Sequence, residues 1–544
     1  MNNIKSIQAV FTEYERLTNR SGLELNADKT EILILNKKTT EKLRINYNKK
    51  THDINTVLEM KICGLFFCAD METEYNHNVM DKIERLNIQL KKWIPRHLTM
   101  EGKILIIKTF GIAQLIFNMQ SYIFDDREIV NIERKIFNFL WSTSANQNGK
   151  DRIKRTILKN EHSKGGMKVT DIDCMNKALK LKQFIRAYKT EHVISSIQAM
   201  LSSRDGKTKH VYYEYSRITE DEPICKVAQE TMNLITDYNR KSYENMEPEI
   251  LESDTHLINE IVSINLEEYL KRKKLVFMQC IVRPLLQREI LTLGELTQSY
   301  EYETDMKTSK TMKIIMSVFP VKLIEISKSF IENINEDSDE VKYIRILNNT
   351  SKPITDVSTK ELQDTLKIVL KKIEETDFNI KLGIDNFAED NIIKFRKICK
   401  NAKLRNIYFR LIHNDFFTHV KMKKYRMTET DNCPRCGLTE TTKHLLWECV
   451  HAKKIWEYFN QLTQDGNVSS YEDVFRVNNE YGTVLIKIKT IQELIQIERP
   501  KNWTMEKFSE IIRQLICTEK YNATITKTLS KHYKKWSKYI NLES

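Results

Sequence analysis

Residues 433–449 read "CPRCGLTETTKHLLWEC". The spacing is Cys-x2-Cys-x7-His-x4-Cys, carried by Cys433, Cys436, His444 and Cys449. Two cysteines two residues apart can grip one ion from a single tight turn, and Pro434 and Gly437 suit such a turn. His444 and Cys449, on the next segment, can complete a tetrahedral set. Three thiolates and one imidazole favour zinc, and four protein ligands leave no position open for chemistry. The site is therefore expected to be structural. His451, two residues past Cys449, is a rival for the imidazole position. Chance clustering of reduced cysteines is the plainer alternative. Against it, three of the chain's ten cysteines fall within these 17 residues at ligand spacing.

The segment just before is strongly basic. Residues 394–426 hold Lys394, Arg396, Lys397, Lys400, Lys403, Arg405, Arg410, Lys421, Lys423, Lys424 and Arg426, and Asp415 is the only acid. Phe395, Tyr408, Phe409, Phe416, Phe417 and Tyr425 interleave. Positive charge can track a phosphate backbone and aromatic rings can stack on bases. Most of these aromatics read equally as core, with only the cations exposed. After the metal segment come "AKKIWEYFNQL" and further helical stretches ending in "LSKHYKKWSKYI".

Composition agrees with this reading. The chain has 13 glycines and 8 prolines in 544 residues, where the usual shares are roughly 7% and 5%. So few turn-formers imply long elements, and the apolar spacing favours helices. Net charge is +13, which favours a polyanionic partner, RNA and/or DNA. "KILIIKTFGIAQLIFNMQSYIF" (103–124) is the most apolar long stretch, but Lys103 and Lys108 interrupt it. It reads as a buried helix rather than a membrane span. The N-terminus lacks a signal-peptide core. Scattered cysteines suggest a reducing compartment, and an intracellular location, nuclear and cytoplasmic, is expected.

Along the chain, Ile4, Ile7, Val10, Phe11, Tyr14 and Leu17 form one helical stripe. "LELN" and "EILIL" bracket "ADKT" as strand, turn, strand, with Lys29 in the turn. Val79, Ile83, Leu86, Leu90 and Trp93 mark an amphipathic helix that Pro95 stops. Thr99 fits the next N-cap, with Glu101 in the first turn. Lys150, Arg152, Lys154 and Arg155 form a basic loop cluster, and Gly165-Gly166 reads as a close-approach turn or, less readily, a phosphate cradle. From about 195 to 390 the spacing stays helical. "ITEDEPI" (218–224) and "NINEDSDEVKYI" (333–344) are plausible linkers, and "LKRKKL" (270–275) is a candidate import signal or nucleic-acid contact.

Several of these stretches resemble non-LTR (LINE-type) retrotransposon reverse transcriptases. "LRNIYFRLIHNDFFTHVKMKKYRMTETDN" and "NCPRCGLTETTKHLLWECVHAKKIW" resemble the zinc-binding segment near the C-terminus of those enzymes and its helical lead-in. "SGLELNADKTEILIL" resembles the part of the palm just after the catalytic aspartates, and Lys29 then matches a lysine thought to lie near the incoming nucleotide's phosphates. A surface lysine in a polar turn is the alternative. "MKICGLFFCAD" resembles the strand leading out of the palm. "KIERLNIQLKKWIPRHLTMEGKILIIKTFGIAQLIF" resembles the thumb, and "IERKIFNFLWS", "KDRIKR" and "KGGMKVTDIDCMNKALKLKQFIRAY" continue it. The family's paired aspartates belong upstream of the palm segment. The chain begins too late to hold them, and Asp70 lies in the wrong order to replace them. No other paired carboxylates stand out for two-metal phosphoryl transfer, so the chain alone is expected not to extend a primer.

The resemblance implies a mainly α, multi-helix fold, with a small α+β palm remnant at the N-terminus and a small zinc-binding module near the C-terminus. The implied divisions are palm end 1–70, thumb-like helices 71–195, helical linker 196–395, basic lead-in and zinc segment 396–460, and helical tail 461–544. The implied role is the C-terminal part of an RNA-directed DNA polymerase that acts by target-primed reverse transcription. The competing reading is a non-catalytic helical interaction protein whose zinc only stabilises the fold.

Overall fold

The computed structural model describes residues 4–35, 40–144, 149–189, seven positions between 227 and 238, 266–275, 278–288, 290, 292–332, 343–346, 350–353, 356–463, 467–496 and 503–542. It is mainly helical with a few short strands. The expected linker at 218–224, residues 333–342 of the linker expected at 333–344, and most of 196–265 lie outside the described residues, while Tyr343 and Ile344 begin the strand Tyr343–Ile346. The chain forms two compact units, each drawing on several stretches.

The first unit comprises Met1–Gln89, Phe110–Ile132 and Ile172–Val369. Its N-terminal helix, Ile4–Ser21, buries Phe11 with Ala27, Ile45, Tyr47 and Ile54. The three-stranded sheet behind it has the order Glu31–Leu33, Lys50–Val57, Lys42–Tyr47. The last two strands form an antiparallel hairpin in which Tyr47 pairs Lys50. Asn48 and Lys49 close it, both at positive φ, which matches the twist of a two-residue hairpin. Cys63 and Gly64, also at positive φ, close the next hairpin, Glu59–Ile62 with Leu65–Cys68. The expected strand over "LELN" does not form. Leu23 is exposed, and the Leu25 amide donates to the Tyr47 hydroxyl at 2.9 Å instead of to a ladder. Glu31–Leu33 pairs in parallel with Lys50–Val57.

Asp70 is a helix N-cap, accepting from the Thr73 amide at 2.8 Å. Beyond it Val79, Ile83, Leu86 and Leu90 are buried as the stripe required. The helix Ile172–Lys189 packs on Ala113–Ser121 and Thr359–Val369. Lys180 is fully buried there, with its ammonium on the Tyr122 carbonyl at 2.5 Å. A separate cluster, Leu266 to Leu323, centres on Tyr269 and Phe319, stacked at 4.1 Å.

The second unit comprises Leu90–Thr109, Glu133–Asp171 and Leu370–Ser544. Its hub is the helix Tyr481–Leu494, which is mostly apolar and buried along most of its length, as expected of a helix packed nearly all round. Ala402–Ile412, Val450–Thr463, Met505–Ile525 and Leu529–Trp536 surround it. Lys487, on the hub, is buried with its ammonium on the carbonyls of Asp473 and Arg476, both at 3.0 Å.

Thr99 caps the helix beginning at Met100, its Oγ1 accepting from the Gly102 amide at 3.2 Å. The apolar stretch that follows is helical but not fully buried. It widens into a π-helical turn over Ile107–Ile112. Ile104, Ile107, Leu115 and Met119 are buried, while Leu105, Phe110 and Phe117 stay exposed. Lys103, on the buried stripe, donates to the carbonyls of Phe139, Leu140 and Ser142 at 3.2, 3.1 and 2.6 Å. These close the helix ending at Trp141, whose last carbonyls have no intrahelical partner. Burial pushes Lys103 down to about 8, so it is charged at neutral pH and complements the negative helix end. Lys103→Met should strand three buried acceptors and cost about 2 kcal/mol or more. Urea denaturation measures this, and an unchanged midpoint would remove the cap from the account.

Candidate metal centre and basic surface

The four sequence-predicted ligands converge. Cys433, Cys436, His444 and Cys449 place one donor atom each within 4.8 Å of one another. The Sγ of Cys449 lies 4.0 Å from that of Cys433 and 3.8 Å from that of Cys436. His444 Nε2 lies 3.2 Å from Cys436 Sγ. A zinc ion with bonds of about 2.3 Å sets tetrahedral sulfurs roughly 3.8 Å apart, so this donor set fits zinc. The imidazole in the cluster is that of His444. His451 is not among the four. Burial pushes the Cys433 thiol up to about 12. A bound cation reverses that preference and holds thiolates.

Local backbone geometry explains the convergence. The Cys433 amide donates to Leu438 O at 2.6 Å, and the Gly437 amide to Cys433 O at 2.8 Å. That tight return needs Gly437 at φ +80°, where a side chain is strained. On the other arm His444–Glu448 is a π-helical turn, with the Cys449 amide on His444 O at 3.0 Å. In an α-helix, residues five apart point about 140° away from each other. The wider turn brings His444 and Cys449 to the same side, as such turns often do at functional sites.

Three ties connect the metal segment to its surroundings. Arg435, largely buried, donates to Leu494 O at the end of the hub helix at 3.4 Å. Glu440, fully buried, accepts from both the amide and Nδ1 of His419 at 3.0 Å. Thr442 donates to Asn414 Oδ1 at 2.9 Å, and Lys421 donates to the same oxygen at 2.7 Å. The last two ties fix the first half of the short basic helix His419–Lys424, at His419 and Lys421, against the metal loop.

The predicted cations separate into two kinds. Lys421 is internal, its ammonium also on the carbonyls of Asn414 and Phe416, and burial pushes it down to about 8. Arg396 and Arg405 both reach Glu101, at 2.7 and 3.4 Å. Arg410 is half-buried, its Nε donating to the Asp415 carbonyl at 2.9 Å. In contrast Lys394, Lys397, Lys400, Lys403, Lys423, Lys424 and Arg426 are exposed, Lys423 in a surface pair with Asp431 at 3.1 Å. Arg426 sits at φ +58° just past its helix. In the loop cluster Lys150 is exposed and Lys154 pairs with Glu374. Arg155 pairs with Asp151 at 2.7 Å, and Arg152 lies 4.7 Å from the Trp141 ring centroid. Lys29 is exposed in a turn capped by Asn26. Among the aromatics, Phe395 and Tyr408 are core and stack at 4.1 Å, while Tyr425 is exposed.

Gly165 and Gly166 serve close packing. A Cβ would meet Phe378 at 2.4 Å and the Asn160 carbonyl at 2.0 Å respectively. The Gly165 carbonyl accepts from His413 Nε2 at 2.7 Å. Burial pushes His413 down to about 4, so its ring is neutral. The sequence did not reveal a cleft of about 730 Å3 where Lys400 and Lys403 line the wall with Lys531 and Lys535. The last two come from "LSKHYKKW", whose basic face was visible but whose neighbours were not.

Residues 385–456 match a family model described as zinc-binding in reverse transcriptase. The matched span takes in the exposed cations from Lys394 to Arg426 as well as the four ligands. No curated protein matches the chain significantly. The chain therefore carries a segment similar to the zinc-binding part of reverse transcriptases, and the cofactor that fits its donors is structural zinc.

One zinc per chain is expected by elemental analysis. Structural zinc contributes on the order of 10–16 kcal/mol of apparent binding free energy, so Cys436→Ser should lose the ion and expose residues 425–460 to protease. Stoichiometric zinc in a Cys433→Ser, Cys436→Ser double variant would refute the assignment. His444→Ala should release zinc and His451→Ala should retain it.

Proposed function

We propose that the chain is the C-terminal portion of a non-LTR, LINE-type reverse transcriptase and that it holds RNA or DNA by its phosphates. The observation that carries this is the joining of two features in one matched segment. A helix with exposed cations is tied by hydrogen bonds to a four-ligand zinc turn, and that segment is similar to the zinc-binding part of reverse transcriptases. In this reading residues 1–70 are the end of the palm, 71–195 the thumb, 196–395 a helical linker, 396–460 the docking segment and 461–544 a helical tail. Lys29 is the palm's phosphate-side lysine, and the Lys150–Arg155 loop adds backbone contacts from the thumb. The parent activity is RNA-directed DNA synthesis primed at a nicked target, in the nucleus after synthesis in the cytoplasm. No helix among the described residues is long and apolar enough to cross a membrane.

The docking surface follows from which cations are exposed. Lys397, Lys400, Lys403, Lys423, Lys424 and Arg426 can meet phosphates. Lys421, Arg396, Arg405 and Arg410 serve the fold. A zinc-fixed turn keeps the helix in place, so less ordering entropy is lost on binding.

If six of the seven exposed cations of this block meet phosphates of a single strand, the slope of log K against log salt is roughly −4, at about −0.7 per contact. Replacing Lys423 and Lys424 by Ala and Arg426 by Gly should flatten it by about 2 units, equally for all sequences. Arg426→Gly also relieves a left-handed backbone position, so lost binding would not reflect lost stability. An unchanged slope would move the site to the Lys150–Arg155 loop. No binding by either protein at low salt would leave the interaction-protein reading.

A further inference from the structure

Within the unit formed by residues 90–109, 133–171 and 370–544, a second cleft of about 730 Å3 lies beside the basic helix. Trp141, Arg152, Asp415, Phe416, Phe417 and Tyr425 line it. Its size is in the range that takes a small planar ligand. Three observations describe what that ligand is.

The first is aromatic surface open to solvent. Tyr425 is 62% exposed, between Lys424 and Arg426. Most other aromatics of the basic block are core, so this ring has no packing role to explain it. The second is a planar cation beside it. The Arg152 guanidinium lies 4.7 Å from the Trp141 ring centroid, and guanidinium held on a ring offers its other face for stacking. Lys150, also exposed, is at the same cleft. The third is polar groups left over in the wall. Trp141 Nε1 is buried with no hydrogen-bond partner among the described residues, and Asp415 Oδ2 has no hydrogen bond there either, only the Arg410 guanidinium at 3.9 Å. Buried donors and acceptors are nearly always paired, and the edge of a nucleobase offers one of each. Lys421 belongs to the wall and not to the ligand, because its ammonium is already on Asn414 and Phe416.

We propose that this cleft receives one unstacked nucleobase of a bound single strand, stacked on Tyr425 and the Arg152 guanidinium, with Lys150 at the adjoining phosphate. The proposal rests on the nucleic-acid reading above and deepens it from phosphate contact to base contact. Stacking accepts any base, so the site selects single strands over duplexes rather than one sequence over another. A free nucleotide would offer the same chemistry.

The test uses the full zinc-bound chain and fluorescence anisotropy with a labelled 12-nucleotide single strand of mixed sequence. The comparison ligand is an abasic strand with the same number of phosphates. Wild type is expected to favour the base-bearing strand by about 10-fold, within the range of one stacked base. Tyr425→Ala should bring the two strands within about twofold of each other and leave the salt slope unchanged. Tyr425 is on the surface, so an unchanged melting temperature is expected and would exclude misfolding. Lys423→Ala with Lys424→Ala should instead weaken both strands alike. Competition by millimolar nucleoside monophosphate, lost in Tyr425→Ala, would support the same site accepting a free nucleotide. Equal affinity of wild type for both strands would overturn the base site while leaving the phosphate-docking reading intact. So would a preference that survives Tyr425→Ala combined with Arg152→Ser. No binding of either strand at low salt would overturn both.

Discussion

The second unit depends on four donor atoms meeting at one point. Between residues 425 and 449 the backbone forms little regular structure. It has one isolated bridge, Asn432 with Thr439, and a single π-helical turn. Such a segment cannot bury enough apolar surface to fix itself, and a coordinated ion supplies the missing constraint. The consequences run outward along named bonds. Arg435 reaches the hub helix, Glu440 holds the start of the basic helix, and Thr442 and Lys421 share Asn414. Leu445 and Leu446, between the two late ligands, are fully buried in the main core. The ion therefore sets the position of the charged helix relative to the core of its own unit.

A second constraint comes from composition. With 13 glycines in 544 residues, few helices can end on the left-handed glycine that usually satisfies their last carbonyls. Long cationic side chains do that work here. Lys103 covers the end of the helix finishing at Trp141, Arg435 reaches Leu494, and Lys180 reaches Tyr122 just past Ser121. Lys487 and Lys421 satisfy loop carbonyls in the same way. Burial lowers all four of these lysines, to about 8, 7, 8 and 8 for Lys103, Lys180, Lys487 and Lys421. Part of the chain's basic character is thus structural, and net charge overstates what faces a partner.

This explains what the sequence did and did not disclose. The metal set was legible because its ligands are local and their spacing is dictated by coordination geometry. The helix bearing Val79, Ile83 and Leu86 and the Thr99 cap were legible for the same reason, since both follow a short-range rule. The parallel pairing of Glu31–Leu33 was not, because the partner strand is set by contacts across the intervening hairpin. Lys421 was counted among the exposed cations, and the internal roles of Lys103, Lys180 and Lys487 went unread, because lysine is rarely buried. A usable signal existed, since Lys103 falls on the same helical stripe as Met100, Ile104 and Ile107. The cleft beside Tyr425 had no local signal. Its walls come from residues near 141–152 and 413–427, and only the fold brings them together.

Sorting cations by what they touch also sharpens the electrostatic argument. A run of eleven cations with one acid suggests a broad patch with diffuse attraction. Removing Arg396, Arg405, Arg410 and Lys421, which serve internal acceptors, leaves a sparser set. That set lies on three helices and the residues next to them. Lys394 and Lys397 lie on one helix, Lys400 and Lys403 at the start of the next, and Lys423, Lys424 and Arg426 at the end of the zinc-tied helix. Phosphate binding depends on the number of simultaneous contacts, since each releases counterions. The helix that carries Lys423 and Lys424 is held at His419 and Lys421 by hydrogen bonds to Glu440 and Asn414, so these charges and Arg426 just past them can act together. The zinc site then contributes to function without touching the ligand, by fixing the spacing of the charges that do.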